Sequence, residues 1–296
     1  MRRHAYHLIL YIVTALLGSC TYIETLDLDE PSGKTILTVD CGAEKLPQKW
    51  HFEVVDDNDS LSHYYSENGS VSIAGGMAYA LVYNTDVENI RFEEDRNGRT
   101  TIARLKPIDD PLQNNGVPVA YMPDMLYSKF MEVESPNPSS LVSIPVEPLT
   151  KSRMLVIRLS SGVGNVVGTT SALIDGMAEF IDMTTLELSS EAVSLFVPLW
   201  VDETARSSGN AEVMISGILN TFGKSRKAVA NSMTFTLSFE DGTKKSVTID
   251  LTDEMKQENK VTPIVKNLKI DDTCQDAEDN SVAVEDRETE NTHVRL

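Results

Sequence analysis

From residue 34 onward apolar positions recur at a spacing of two, in short runs closed by polar or glycine-containing breaks, the period of strands and not of helices. Ile36-Leu37-Thr38-Val39 opens the series. In the next run Trp50, Phe52 and Val54 alternate with His51, Glu53 and Val55, and Val71 and Ile73 mark a third. Gly75-Gly76 then leads into the apolar run 77–83, on which Tyr79 and Tyr83 share a face. Residues 90–93 and 101–105 flank Asp95-Arg96-Asn97-Gly98, whose Asn-Gly pair favours the left-handed dihedrals of a tight hairpin. Residues 106–124, rich in Pro, Asp, Asn and Gly, read as a long connection, after which strands resume at 125–133 and 141–146. Pro145 lacks an N–H for the ladder and so suits an edge strand.

Residues 148–151 are the expected domain boundary. Beyond it, strands are expected at 153–159, 172–183, 193–201 and 211–222. The clearest unit is 233–239 and 246–251 around Asp241-Gly242, where strict alternation on both sides gives a hairpin with one polar and one buried face. Thr252 is placed to cap a single helical turn through Asp253, Glu254 and Met255, and 261–270 is the last strand. Strands following strands with no helical period between them define an all-β chain, an antiparallel β-sandwich and not an α/β fold.

The two ends break this pattern. Met1-Arg2-Arg3 is basic, residues 8–17 are almost uniformly apolar, and Leu17-Gly18-Ser19 places small residues before Cys20. Residues 1–19 therefore read as a signal peptide, the apolar run being shorter than the roughly 20 residues of a membrane-crossing helix. Residues 20–33 carry Glu24, Asp27, Asp29 and Glu30 and end in Pro31-Ser32-Gly33, a spacer composition. Residues 272–296 lose apolar content while acids accumulate, and such a segment cannot bury enough surface to offset its ordering entropy, so a disordered acidic tail is expected there.

Charge narrows the partners. The formal charge of −19 becomes −21 once cleavage before Cys20 removes Arg2 and Arg3. Nucleic acid, which needs a clustered basic surface, is excluded as a partner. Besides Cys20 there are two cysteines, Cys41 and Cys274, which an oxidising compartment could pair.

Candidate chemistry is sparse. Residues 21–296 hold three histidines, His51, His63 and His293, with no His-Glu-x-x-His, and no serine lies in a Gly-x-Ser-x-Gly elbow. Gly162 to Gly168 does not fit a dinucleotide fingerprint and reads as a turn between strands. Asp56-Asp57-Asn58-Asp59 lacks the Gly and terminal Glu of a calcium loop and reads as a solvated turn. His51, beside Trp50 and Phe52, is expected to face outward or lie at a sheet edge, and Tyr79 and Tyr83 to pack in the core. Trp50 and Trp200 fall in strands, away from loops. No catalytic, metal-binding or cofactor-binding residues are assigned, and the chain is read as non-enzymatic.

The sequence Leu17-Gly18-Ser19-Cys20 resembles the lipobox of bacterial lipoproteins, in which Cys20 would be lipidated and become the new N-terminus; an ordinary signal with Cys at the first mature position is the alternative. The stretches 50–54, 75–86 with Glu88 and 90–92, and Asn220-Thr221-Phe222-Gly223 with the Asp241-Gly242 hairpin resemble fimbrial accessory lipoproteins of Bacteroidetes. Within these they resemble the anchor subunits of fimbrillin-type (type V) pili and their uncharacterised β-domain relatives. The resemblance spans residues 35–270. It implies two tandem transthyretin-like β-sandwich domains, 34–149 and 150–271, behind the lipidated linker of residues 20–33. It further implies an outer-membrane, surface-facing protein whose partners are fimbrial subunits, joined by β-strand addition at an open sheet edge. The alternative is a surface lipoprotein that binds a glycan or host protein through loops at a sandwich tip.

Overall fold

The computed structural model describes residues 34–42, 47–74, 77–108, 113–114, 116–132, 140–160, 166–201, 212–256 and 262–269. Cys20, Cys274, the signal peptide, the linker and the acidic tail lie outside them.

The regular structure of the described residues is nearly all strand, arranged in five sheets. One sheet has the order β11 (Leu141–Pro145), β1 (Lys34–Asp40), β4 (Ser70–Ala74), with Pro145 on an edge strand as its missing N–H requires. It faces a five-stranded antiparallel sheet ordered β12 (Glu147–Pro148), β10 (Tyr127–Glu132), β5 (Tyr79–Asn84), β2 (Trp50–Val55), β3 (Leu61–Ser66). Leu37, Phe52, Ile73, Val82 and Ile144 fill the space between them. Each such buried side chain contributes roughly 1.5–3 kcal/mol.

The second sandwich is larger. A four-stranded sheet runs β18 (Leu199–Val201), β19 (Glu212–Thr221), β13 (Lys151–Ser160), β22 (Ile264–Lys269). Opposite it run β14 (Val166–Thr169), β20 (Ser232–Phe239), β15 (Ala172–Ala178), β17 (Ala192–Val197), β9 (Val117–Tyr121) and β8 (Gln113–Asn114), with β21 (Lys244–Asp250) also paired to β20. Leu155, Ile157 and Ile215 meet Ile174, Leu195, Phe235 and Ile249 in this core. A last sheet, β16 (Phe180–Asp182), β7 (Thr100–Leu105), β6 (Ile90–Glu94), joins the halves.

Strand β5 belongs to both cores. Ala80 and Val82 pack in the first, while Leu81 and Tyr83 on its other face pack in the second. Two pairings also cross residues 148–151: β9 lies parallel to β17, and β16 is antiparallel to β7.

Three expectations need correcting. The sheets are not wholly antiparallel, since β1/β11, β13/β22 and β17/β9 are parallel pairs. Each joins segments far apart in sequence, and alternation carries no sign of strand direction. Residues 106–124 are not one long connection but contain β8 and β9, hidden by Gly116 between them and Pro118 within β9. Thr252 begins α1 (Thr252–Lys256) but its hydroxyl is engaged elsewhere, accepting from the Asn231 N–H and donating to Asp250, whose carboxylate also accepts the Thr252 N–H. The expected hairpins are present. At Asp95-Arg96-Asn97-Gly98 the positive φ, +76°, falls on Gly98, and the pairing shifts register between Glu93 and Glu94, a bulged turn.

Candidate functional site

Two features stand out among the described residues: a polar cluster beneath a sheet, and an uncovered apolar face ending at an open edge.

The cluster arises from cross-strand register. Opposite His51 stand Tyr65 on β3 and Tyr83 on β5, and opposite Glu53 stands His63 on β3. All these side chains lie on the face of β2 turned away from the first core. Strand β7 covers that face, and the Thr100 N–H donates to Glu53 Oε2 at 2.8 Å. His51 is thus buried, not outward or at an edge as expected, because β2 is an interior strand with both faces covered. Its Nδ1 is 2.6 Å from the Tyr83 hydroxyl, which lies 3.3 Å from Glu53 Oε1 and 3.1 Å from Thr100 Oγ1. His63 Nδ1 is 3.2 Å from His51 Nε2, and the exposed Tyr65 ring stacks on His51 with centroids 4.4 Å apart and planes 8° from parallel.

Burial sets the charge states here. Removal from water, helped by the neighbouring His63, pulls His51 down to about 4, so the ring is neutral near pH 7. Burial also pushes the Glu53 carboxyl above its usual range, against the hydrogen bonds from Thr100 and Tyr83, and raises the Tyr83 phenol, again by burial first. His51 Nδ1 and Glu53 Oε1, 4.0 Å apart, are therefore not an ion pair at neutral pH. Tyr83 is core-packed as expected, whereas Tyr79 is only half-buried.

The second feature is the outer face of the sheet β18-β19-β13-β22. Alternation in β13 and β19 sends Leu155, Ile157, Ile215 and Leu219 inward and Met154, Val156, Met214 and Ile218 outward. Register then assembles a row across all four strands, Trp200, Ser216, Val156, Val265, with Met154 opposite Ile218 beside it. Trp200, Met154, Ile218 and Val265 are each between 44% and 49% exposed, an unusual grouping of large apolar side chains on one sheet face. The sheet ends at β22, which pairs with β13 on one side and has no strand on the other among the described residues. Trp200 sits in a strand as expected, but on its outward face. A strand of three residues is too short for alternation to reveal that.

The Asp56 loop is a turn, its carboxylate accepting the N–H groups of Asn58 and Ser60. Residues 162–165 lie outside the described residues, and Val166, Val167 and Gly168 belong to β14.

No protein-family model and no curated protein matches the chain. Solved structures do share its fold. A candidate adhesin of Bacteroides ovatus superposes with a TM-score of 0.56 at 18% identity, over 89% of this chain and 96% of that one. A candidate adhesin of Bacteroides thetaiotaomicron does so at 0.53 and 12%, over 81% of this chain and 92% of that one. The fimbrial anchor protein Mfa2 of Porphyromonas gingivalis matches at 0.46 and 11%, over 80% and 89%. The first two define the class, an all-β sandwich fold shared with Bacteroides proteins named as candidate adhesins. The resemblance to Bacteroidetes surface proteins read from the sequence holds, at the level of fold, for these two.

Proposed function

We propose that the chain is a lipid-anchored structural protein of a surface fimbria, held in the outer membrane through Cys20 and joined to a fimbrial subunit by β-strand addition. In the same reading residues 34–149 and 150–271 each supply most of one sandwich, with β5, β9 and β16 tying the two together. The observation that carries the proposal is the apolar outer face of the sheet that ends, among the described residues, at β22. Strand addition needs free main-chain groups and pockets for alternate side chains, and no reactive group. A strand laid against β22 would continue the row that Val265 and Trp200 already form, and Trp and Met are side chains enriched at protein interfaces. The surface role is further supported by the two fold relatives named as candidate adhesins.

An extended peptide from the fimbrial subunit is expected to bind and raise the melting temperature by mass action. Val265→Ser, on the outward face of β22 itself, should weaken binding without unfolding the protein. Proline placed singly at Val265, Lys266 and Asn267 should divide by parity. Substitutions whose N–H bonds β13 destabilise the sheet, and those whose N–H faces outward leave it folded but remove peptide binding. If no fimbrial peptide stabilises the protein, and deleting the gene leaves pilus length and retention unchanged, the proposal fails.

A second reading, capture of a glycan or host protein by tip loops, is favoured by a different observation. Leu186 and Val229 are 57% and 90% exposed in two loops tied together by the Arg226–Glu187 ion pair and by the Arg226 N–H donating to Ser189 O. Binding lost on Leu186→Ala and Val229→Ser but kept on Val265→Ser would select it.

A further inference from the structure

We propose that His51, His63 and Glu53 form a binding site for a divalent transition cation of the zinc class, at the point where edge strand β3 meets β2. Their ligand atoms all lie within 4.8 Å of one another, although the residues come from two strands with no metal motif in sequence. The decisive distance is 3.2 Å between His51 Nε2 and His63 Nδ1. With Zn–N bonds of about 2.0–2.1 Å, two nitrogens at that separation subtend roughly 100° at the ion, near the tetrahedral angle. The histidines need not move apart or together to accept it. Glu53 closes the remaining distance by turning Oε1 from Tyr83 toward the ion, while Oε2 keeps the Thr100 N–H.

The tautomer is prepared as well. The Tyr83 hydroxyl has Thr100 Oγ1 as an acceptor at 3.1 Å as well as Glu53 Oε1, so once Oε1 turns to the ion it donates to Thr100 and its oxygen still accepts from His51 Nδ1–H. The lone pair of His51 then lies on Nε2, the side facing His63. An outer partner that fixes the ring and its tautomer in this way is what metal-binding histidines have. Imidazole ligands select zinc, cobalt, nickel or copper over calcium and magnesium, which take oxygen ligands. Tyr65, stacked on His51, walls one side of the site, and three protein ligands would leave the fourth position of a tetrahedral ion to water. A bound ion would tie β3 to β2 through His63.

The test uses the full-length chain, freed of metal by a chelator and titrated with Zn²⁺ and with Co²⁺. One ion should bind per chain, and Co²⁺ should give the intense visible absorption of a four-coordinate site. Calcium and magnesium should not displace it. His63 is exposed on an edge strand, so His63→Ala should fold, and it should weaken Zn²⁺ binding at least tenfold and abolish the four-coordinate spectrum. His63→Cys, which supplies a thiolate in its place, should restore binding with an added sulfur-to-cobalt charge-transfer band. Absence of the four-coordinate spectrum in the unmodified chain would overturn the proposal. So would zinc affinity unchanged in His63→Ala, because the ion would then reside elsewhere on this acidic protein.

Discussion

Gly176→Ala is expected to destabilise the protein by about 3 kcal/mol, with the urea midpoint falling and the slope of the transition unchanged. Gly176 lies in β15, in the middle of the seven-stranded sheet, where pairing with β17 shifts register between Ile174 and Met177. Its φ is +76°, and a Cβ there would come 2.6 Å from the Ala230 carbonyl oxygen and 2.7 Å from Asn231 Nδ2. Neither can retreat. Asn231 is fully buried and its Nδ2 donates to the carbonyls of Asp175 and Gly176, while the Ser225 N–H also donates to Gly176 O. The alanine therefore costs roughly 1 kcal/mol for its left-handed backbone and a further 1–3 kcal/mol for overpacking. Gly98→Ala is the control. It has the same φ, +76°, but the nearest atom to its Cβ is Leu61 Cδ2 at 3.9 Å, so it should show the backbone cost alone. Equal losses in the two variants would show that crowding at the bulge contributes nothing.

The bulge also marks where the sequence stops informing. Alternation located β20 and β21, with Met233, Phe235 and Leu237 inward and the polar positions between them less buried. It located β2 and gave the inward face of Trp50, Phe52 and Val54 correctly. What it could not tell was whether the other face met water or another layer. Glu53 and Thr100 are 47 positions apart, and only the fold of β7 over β2 turns His51 and Glu53 from surface residues into buried ones. The same blindness hid the pairing of β9 with β17 and of β22 with β13, because partner and direction are long-range properties that no local period encodes. Trp200 was legible as a strand residue, but its exposure depends on the outer face of the sheet having no covering layer among the described residues.

Cys20→Ala is expected to have the largest effect on the protein in the cell: loss of palmitate label, and movement of the chain from the membrane fraction to the soluble fraction or its retention with residues 1–19 uncleaved. The proposal rests on Leu17-Gly18-Ser19-Cys20 following an apolar run of ten residues, 8–17, too short to remain as an anchor. A single acyl chain gives only marginal attachment, since each buried CH₂ contributes about 0.8 kcal/mol; several chains on one residue supply the two signals that stable anchoring needs. Among the described residues no helix is long and apolar enough to cross a membrane. A lipid at Cys20, as proposed, would also limit where the fold can work: the fourteen residues from Cys20 to Gly33 can span at most about 50 Å, which would keep the start of β1 within that distance of the bilayer. A fimbrial subunit bound at β22 would then be held at the cell surface only while the thioether bond at Cys20 persists. In Cys20→Ala cells, filaments should accordingly be shed into the medium with the protein still attached to them. Palmitate labelling that survives the substitution would sink the lipid-anchor proposal. Filaments retained normally on cells whose Cys20→Ala protein is soluble would separate the anchor from the filament and leave β22 without the role assigned to it.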